Sequence, residues 1–366
     1  ILYKSNAKGR QYQKIPIRFM TLNEHIEAFS ELGKFLEQFF NDSNTKDDEF
    51  SQRLATEIEA AVHYNGWFTK NNVRFSLQQW QLALTEDNLS AWLKNYDINT
   101  KVPKTIGLIL AGNVPLVGFH DVLSVLVTGH NVLIKYSSND QRLLPLLLEK
   151  LKAINNKYND RIKTAKDQLK GFDAVIATGS NNTSRYFNYY FKNVPSIIRK
   201  NRHSVAILTG EESPEQIQLL ANDIFRYYGL GCRNVSKLLV PEGYNFNTFF
   251  ENIMNWSEVI NDNKYANNYD YNKAVYLMSG ANMLDNNFVL LKEDNGFSSP
   301  IGVLFQDSYK NLEELEEILA EEKDNLQCVV SNNLQPHHIY FGETQHPKLW
   351  DYADNIDTVE FLLKVN

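Results

Sequence analysis

The chain of 366 residues contains two cysteines, and one of them, Cys232, lies in the glycine loop "GLGCRNV". A structural cysteine packs as a small hydrophobe inside an apolar run. Cys232 instead follows Gly229 and Gly231. A nucleophilic thiol needs access, backbone room for a tetrahedral intermediate and a donor for the oxyanion. The two glycines supply the room. Arg233, next in the chain, lowers the thiol pKa if it turns inward, and pointing away is the equal alternative. Cys328, in the apolar "LQCVVS", reads as core. The other candidates are weaker. "GNVPLVG" is not GxGxxG and no Walker sequence occurs, so the usual phosphate-loop signatures are missing. His337 and His338 point apart on a strand, and there is no CxxC or HExxH spacing, so no metal site is expected. His25, His63, His120 and His203 read as packing or surface residues.

The elements that must position Cys232 are legible from period and punctuation. "LNEHIEAFSELGKFLEQFF" and "EFSQRLATEIEAAVHYNGW" have helical apolar spacing, and the first hundred residues read as helices and loops without chemistry. The texture changes at Thr105. "TIGLILA", "NVLIKYS" and "FDAVIATGS" are apolar runs expected of strands buried on both faces. "FHDVLSVLVTG", closed by Gly129, and "QRLLPLLLEKLKAINN", with Pro145 early, read as helices between them. "NTSRYFNYYFK" reads as a helix whose rings are expected in the core rather than along an acyl tunnel. "SIIRKN" and "SVAILTG" read as further strands. The alternation predicts an open, mostly parallel sheet, with ligands beyond the carboxyl ends of its strands. "SPEQIQLLANDIFRYYG" starts as a helix with Ser213 as N-cap, Pro214 at N1 and Gln216 completing a capping box. Its stripe is expected to run through Tyr228, with Gly229 as the stop. "VSKLLVP" is a strand, which places Cys232 in a tight connection between helix and strand. "EELEEILAEE" and "LQCVVS" give one more helix and strand.

Composition sets the class. The chain is 43% hydrophobic and 22% charged, as globular proteins are. Its formal net charge of -7 argues against nucleic-acid binding. No apolar run approaches the ~18 residues of a membrane helix, and no signal peptide is read, although the chain begins at Ile1. Few cysteines point to a reducing, cytoplasmic setting.

"GLILAGNVPLVGFHDVLSVLVTGHNVLIKYSSND", "TGS" and "GLGCRNVSKLLVP", in this order, resemble the aldehyde dehydrogenase superfamily over roughly residues 100 to 345. The first segment is closest to acyl-CoA reductases similar to the fatty-acid reductase subunit of bacterial bioluminescence. The resemblance implies an α/β fold with a Rossmann-like cofactor domain and an α/β catalytic domain. The expected division is an N-terminal helical region at 1–100 associated with the cofactor domain, the cofactor domain at 101–205 and the catalytic domain at 206–345. A C-terminal segment, 346–366, would serve oligomerisation or return to the cofactor domain. The resemblance puts Cys232 on the nucleophile and Asn113 on the asparagine that helps the cysteine N–H hold the oxyanion. It puts Lys135 on the lysine of the adenosine ribose, and Gly179 and Ser180 on the pair that packs against the dinucleotide.

Three departures refine this reading. Arg199 falls where aldehyde-oxidising members carry the glutamate that activates water, and arginine is no base at neutral pH. Ser138 falls where NAD-preferring members carry a glutamate that would repel a 2′-phosphate. "NGFSSPIGV" lacks the acidic residue usual for the nicotinamide ribose. The function so implied is NADPH-dependent reduction of a long-chain fatty acyl thioester to the aldehyde, in a homo-oligomer or with partner subunits. The acyl donor is acyl-CoA, an acyl-carrier or an acyl-protein. The alternatives are an oxidative aldehyde dehydrogenase and a non-reducing subunit that holds acyl groups for a partner.

Overall fold

The computed structural model describes residues 20–41, 48–100, 102–332 and 334–365, with the backbone of 3–4 and 13–14. Tyr3–Lys4 (β1) pairs antiparallel with Gln13–Lys14 (β2). Four helices follow: Leu22–Asn41 (α1), Glu49–Tyr64 (α2), Lys70–Ala83 (α3) and Glu86–Leu93 (α4). Asp48, Thr69 and Thr85 cap the last three, each side chain accepting from a backbone N–H of the first turn.

The first sheet is built from Thr105–Ile109 (β3), Asn131–Lys135 (β4), Ile162–Thr164 (β5), Ala174–Thr178 (β6) and Ser196–Arg199 (β7). All its pairs are parallel, in the order β5-β4-β3-β6-β7. The order reverses at β3 and β6, so the crevice beyond their carboxyl ends is a topological switch point. Phe119–Val127 (α5), Leu143–Ile154 (α6) and Asn181–Tyr190 (α7) connect the strands. Pro145 is the third residue of α6, where its missing N–H is not needed. Gly129 follows α5 with φ 81° and closes it through a bond to Leu126 O. Helix α5 is apolar nearly all round and lies between the sheet and the N-terminal helices, in a single continuous core.

A second sheet follows. Its elements are His203–Ile207 (β8), Pro214–Phe225 (α8), Val235–Pro241 (β9), Asn247–Asn252 (α9), Asn263–Ser279 (α10), Met283–Asp285 (β10), Leu290–Glu293 (β11), Val303–Tyr309 (β12), Leu312–Glu322 (α11) and Leu326–Val330 (β13). The strand order is β10-β11-β12-β9-β8-β13, with β10 alone antiparallel. The alternation of strands and helices thus serves two sheets, and the chain passes from β7 in one to β8 in the other across Lys200–Arg202. Helix α8 has the expected capping box at Ser213 and Gln216. It stops at Phe225, before Tyr228, because Tyr227, Tyr228 and Gly229 take φ of 54°, 58° and 76°. The rings of α7 also depart from expectation. Phe187 and Phe191 pack with each other, and Phe191 with Phe172, but Tyr186, Tyr189 and Tyr190 are exposed.

The end of the chain, including Thr358–Leu363 (α12), lies against the first sheet's layer. Trp92 Nε1 donates to Tyr352 Oη at 2.7 Å, and His130 Nε2 donates to Leu362 O at 3.1 Å. Among the described residues no helix is long and apolar enough to cross a membrane.

His25 of α1 is buried against Tyr158, with Nδ1 2.8 Å from the phenol oxygen. Burial holds its pKa down to about 3, so the folded chain keeps it neutral. The unfolded chain takes up the proton near pH 6.5. The stability that neutral His25 contributes is therefore full above about pH 6.5 and lost as pH falls toward about 3. His25→Phe is expected to show a smaller fall in thermal midpoint between pH 7 and pH 4 than the parent. Equal falls would exclude His25 as the acid-sensitive group.

Candidate active site

Cys232 leaves the turn between α8 and β9 half-buried. The turn is built on consecutive left-handed residues, two of them tyrosines, a backbone state disfavoured for bulky side chains. The surroundings hold it there. Tyr227 packs edge-on against Phe75 of α3, at 5.9 Å, and Tyr228 against Trp67 at 5.5 Å.

Asn234 is the clamp of the loop. Its Oδ1 accepts from Gly231 N at 2.8 Å, and its Nδ2 donates to Asp223 O at 3.0 Å and Arg226 O at 2.8 Å. A side chain on Gly231 would meet Asn234 Oδ1 at 3.0 Å, so the clamp needs glycine there. Asp223 of α8 ties in the loop at 342–344, accepting from Gly342 N at 2.6 Å and from Thr344 N at 3.0 Å. Burial raises Asp223 to about 6 against those bonds. Arg233 is turned aside, with Nε donating to Thr344 O at 2.6 Å.

Asn113 reaches this loop from the first sheet. Its Nδ2 donates to Leu230 O at 2.8 Å, and Val114 lies 3.8 Å from where a Gly231 side chain would begin. The loop after β3 that carries Asn113 is fixed from behind. Ser76 Oγ of α3 donates to Pro115 O at 2.8 Å, and buried Asp140 accepts from Leu116 N at 3.0 Å. The Cys232 N–H donates to no other group among the described residues. Ser204 Oγ of β8 donates to Cys232 O at 2.9 Å. Cys328 itself is buried core.

Burial pushes the Cys232 thiol up to about 11, with Cys328 and Asp354 adding to the rise and Arg233 and Arg199 opposing it. Arg199, at the end of β7, is locked. Its Nη1 donates to both carboxylate oxygens of Asp121 on α5, at 2.8 and 2.7 Å, and its Nη2 to Thr358 Oγ1 at 3.1 Å. Asp354 is paired with Arg202 at 3.3 Å.

Lys135 ends β4, Ser138 follows it, and Gly179 and Ser180 follow β6, all at the carboxyl edge of the first sheet. Lys135 and Ser138 are exposed. Gly179 is half-buried, and a side chain there would press on Thr183 and Phe187 at 3.0 Å. Ser180 caps α7, its Oγ accepting from Thr183 N at 3.3 Å. Gly112, beside Asn113, lets the loop after β3 pass Ser137, whose Oγ would be 2.6 Å from a side chain at 112.

Sequence reasoning assigned no part to Asn234, Asp223, Ser204 or Asp121. Asp121 carried a readable signal, as a lone charge in a helix apolar on every face. The others carried none beyond being polar.

Asn234→Ala would orphan one buried N–H and two or three carbonyls at about 1–3 kcal/mol each, not fully additive. A loss of roughly 2–5 kcal/mol is expected in urea unfolding. Asn234→Asp keeps the acceptor for Gly231 but loses the donors, and should lie between. A loss below 1 kcal/mol for Asn234→Ala would show that Asn234 does not hold the loop.

Comparison with known proteins agrees with this architecture. Aldehyde dehydrogenase 21 from Physcomitrella patens, solved with the product succinate, superposes with TM-score 0.62 at 14% identity, covering 94% of this chain and 89% of its own. The Mycobacterium tuberculosis aldehyde dehydrogenase complexed with NAD+ gives 0.58 at 13%, covering 86% and 74%. The NAD+ complex of the Bacillus cereus enzyme gives 0.55 at 13%, covering 87% and 73%. These likenesses establish the aldehyde-dehydrogenase-like α/β fold. A search of curated proteins found no match. The profile of acyl-CoA reductase (LuxC) matches residues 30–254, well over half of the chain and all of the loops just described up to β9. The chain therefore belongs to the acyl-CoA reductase (LuxC) family and is an oxidoreductase.

Proposed function

We propose that the protein reduces a fatty acyl thioester, acyl-CoA in the first instance, to the aldehyde through an acyl-enzyme on Cys232, with NADPH as reductant. The observation that carries this reading is the fixed ion pair of Arg199 with Asp121. On the resemblance, Arg199 falls where the superfamily's oxidising members carry a water-activating carboxylate. Asp354, whose charge reaches Cys232, is paired with Arg202. Among the described residues, the carboxylate whose charge reaches Cys232 is thus engaged elsewhere and not free to activate water against a thioester.

The residues divide the work as follows. The Cys232 thiolate attacks the thioester carbonyl, and the carrier thiolate leaves. The Cys232 N–H stabilises the oxyanion, joined by the Asn113 amide once it turns from Leu230 O. Such a donor contributes roughly 2.7–4 kcal/mol. Lys135 and Ser138 fit a phosphorylated ribose, since both are exposed and donate to nothing else among the described residues. Gly179 and Ser180, after β6, would pack against the dinucleotide on the other side of β3. NADPH, when bound, supplies the hydride. Collapse of the reduced adduct on Cys232 expels the thiolate and releases aldehyde.

Incubation with an acyl-CoA alone is expected to add one acyl mass to the peptide containing Cys232. That acyl-enzyme should persist until NADPH is added and then give aldehyde. Label on Cys328, or acid formed as fast as aldehyde, would overturn the reading. Arg199→Glu alone would set two carboxylates face to face at Asp121, and one would take up a proton. Asp121→Asn with Arg199→Glu is the cleaner test, and is expected to raise hydrolysis by about 10²–10⁴-fold if a base is what the site lacks.

Ser138→Glu places a carboxylate against the 2′-phosphate. NADPH affinity should fall much more than NADH affinity, read from KM for each cofactor. Equal losses would remove Ser138 as the discriminating residue.

A further inference from the structure

Lys237 has no part in the chemistry above, yet it is fully buried at the middle of the second sheet, on the strand that leaves the Cys232 loop. A lysine is almost never buried without partners, and an apolar residue of its size would serve the core equally well. Its ammonium is completely engaged. Nζ donates to Asp294 O at 3.0 Å, to Asn295 O at 3.1 Å and to Asp307 Oδ2 at 3.3 Å, and lies 4.4 Å from the centre of the Phe297 ring. Two of those acceptors are backbone carbonyls of one loop, which follows β11. The neighbouring Ser236 holds the same loop, its Oγ donating to Phe297 O at 2.6 Å.

The contacts continue to the nucleophile. Ser236 Oγ also lies 3.4 Å from Ser204 O, and Ser204 Oγ donates to Cys232 O. We propose that Lys237 is a positioning residue of the Cys232 site: with Ser236 it pins the loop Asp294–Phe297 against β9, and through Ser204 it sets the backbone at Cys232. Carbonyls cannot be held together by an apolar side chain. A cation with several donors can gather them, which accounts for a lysine where packing alone would accept methionine. Burial lowers the Lys237 pKa while the Asp307 carboxylate raises it, so the lysine and Asp307 act as a unit. The inference rests on the reductase reading only for its kinetic arm.

The test uses the full chain with Lys237→Met and, separately, Ser236→Ala. Two rates are measured: alkylation of Cys232 by iodoacetamide, located by peptide mass, and NADPH oxidation with acyl-CoA. Near-UV circular dichroism reports folding. In folded Lys237→Met, the alkylation rate is expected to change at least fivefold. The kcat is expected to fall about tenfold or more, in line with the sensitivity of such reactions to small misplacements, with KM for acyl-CoA within twofold of the parent. Ser236→Ala should move both in the same direction and less. Wild-type alkylation and kcat in folded Lys237→Met would overturn the proposal. If Lys237→Met does not fold, Ser236→Ala decides: a change of about twofold or more in both rates supports the proposal, and parent values in both overturn it. If the parent reduces no acyl-CoA, the functional reading fails, and the alkylation arm still decides the role of Lys237.

Discussion

The buried pair of Arg199 and Asp121 is the contact on which the site's arrangement rests. Arg199 ends the last strand of the first sheet, Asp121 belongs to the helix packed under that sheet, and Thr358 brings the returning chain end to the same guanidinium. Three segments far apart in sequence therefore meet at one cation, next to the cysteine loop. Removing either charge would leave the other buried and unpaired, at about 3–5 kcal/mol. Such a pair adds little net stability compared with apolar packing, but it fixes which segments come together. It also keeps a positive charge within reach of Cys232 without exposing it to water.

The second constraint is the backbone at Tyr227, Tyr228 and Gly229. A helix that ran on to Tyr228 would carry Cys232 away from Asn113. The left-handed residues instead turn the chain sharply, and Asn234 ties the turn to the helix end. The strain is offset by ring packing against α3, so the N-terminal helices take part in shaping the site.

Much of this was legible in the sequence. Strands β3, β4 and β6 show as apolar runs because both their faces are covered, and the Cys232 loop shows because glycine and cysteine are uncommon neighbours. The sequence predicts the stop of α8 too late, because nothing in "RYYG" marks a tyrosine for positive φ. Helix α10 escaped notice because "NKYANNYDYNKAVYLMS" has apolar residues on every face, leaving no stripe. Strands β10 and β11 are short, and β12 turns polar in its second half, "QDSY". The exposed tyrosines of α7 look like core by composition, and only tertiary packing shows that two phenylalanines suffice there. The pairs Arg199–Asp121 and Lys237 with the 294–297 loop join residues remote in sequence, which a local reading cannot match.

The elevated pKa of the Cys232 thiol has a consequence for the protein's durability. Peroxides and other electrophiles attack the thiolate, and the oxidation ladder from sulfenic to sulfonic acid begins there. A thiol pushed up to about 11 is almost wholly protonated at neutral pH. In the idle protein, burial thus disfavours the reactive thiolate. Reactivity then requires a change of local field on occupancy that favours the thiolate over the thiol. On the proposed mechanism, the same burial that slows Cys232 would preserve it between encounters with substrate.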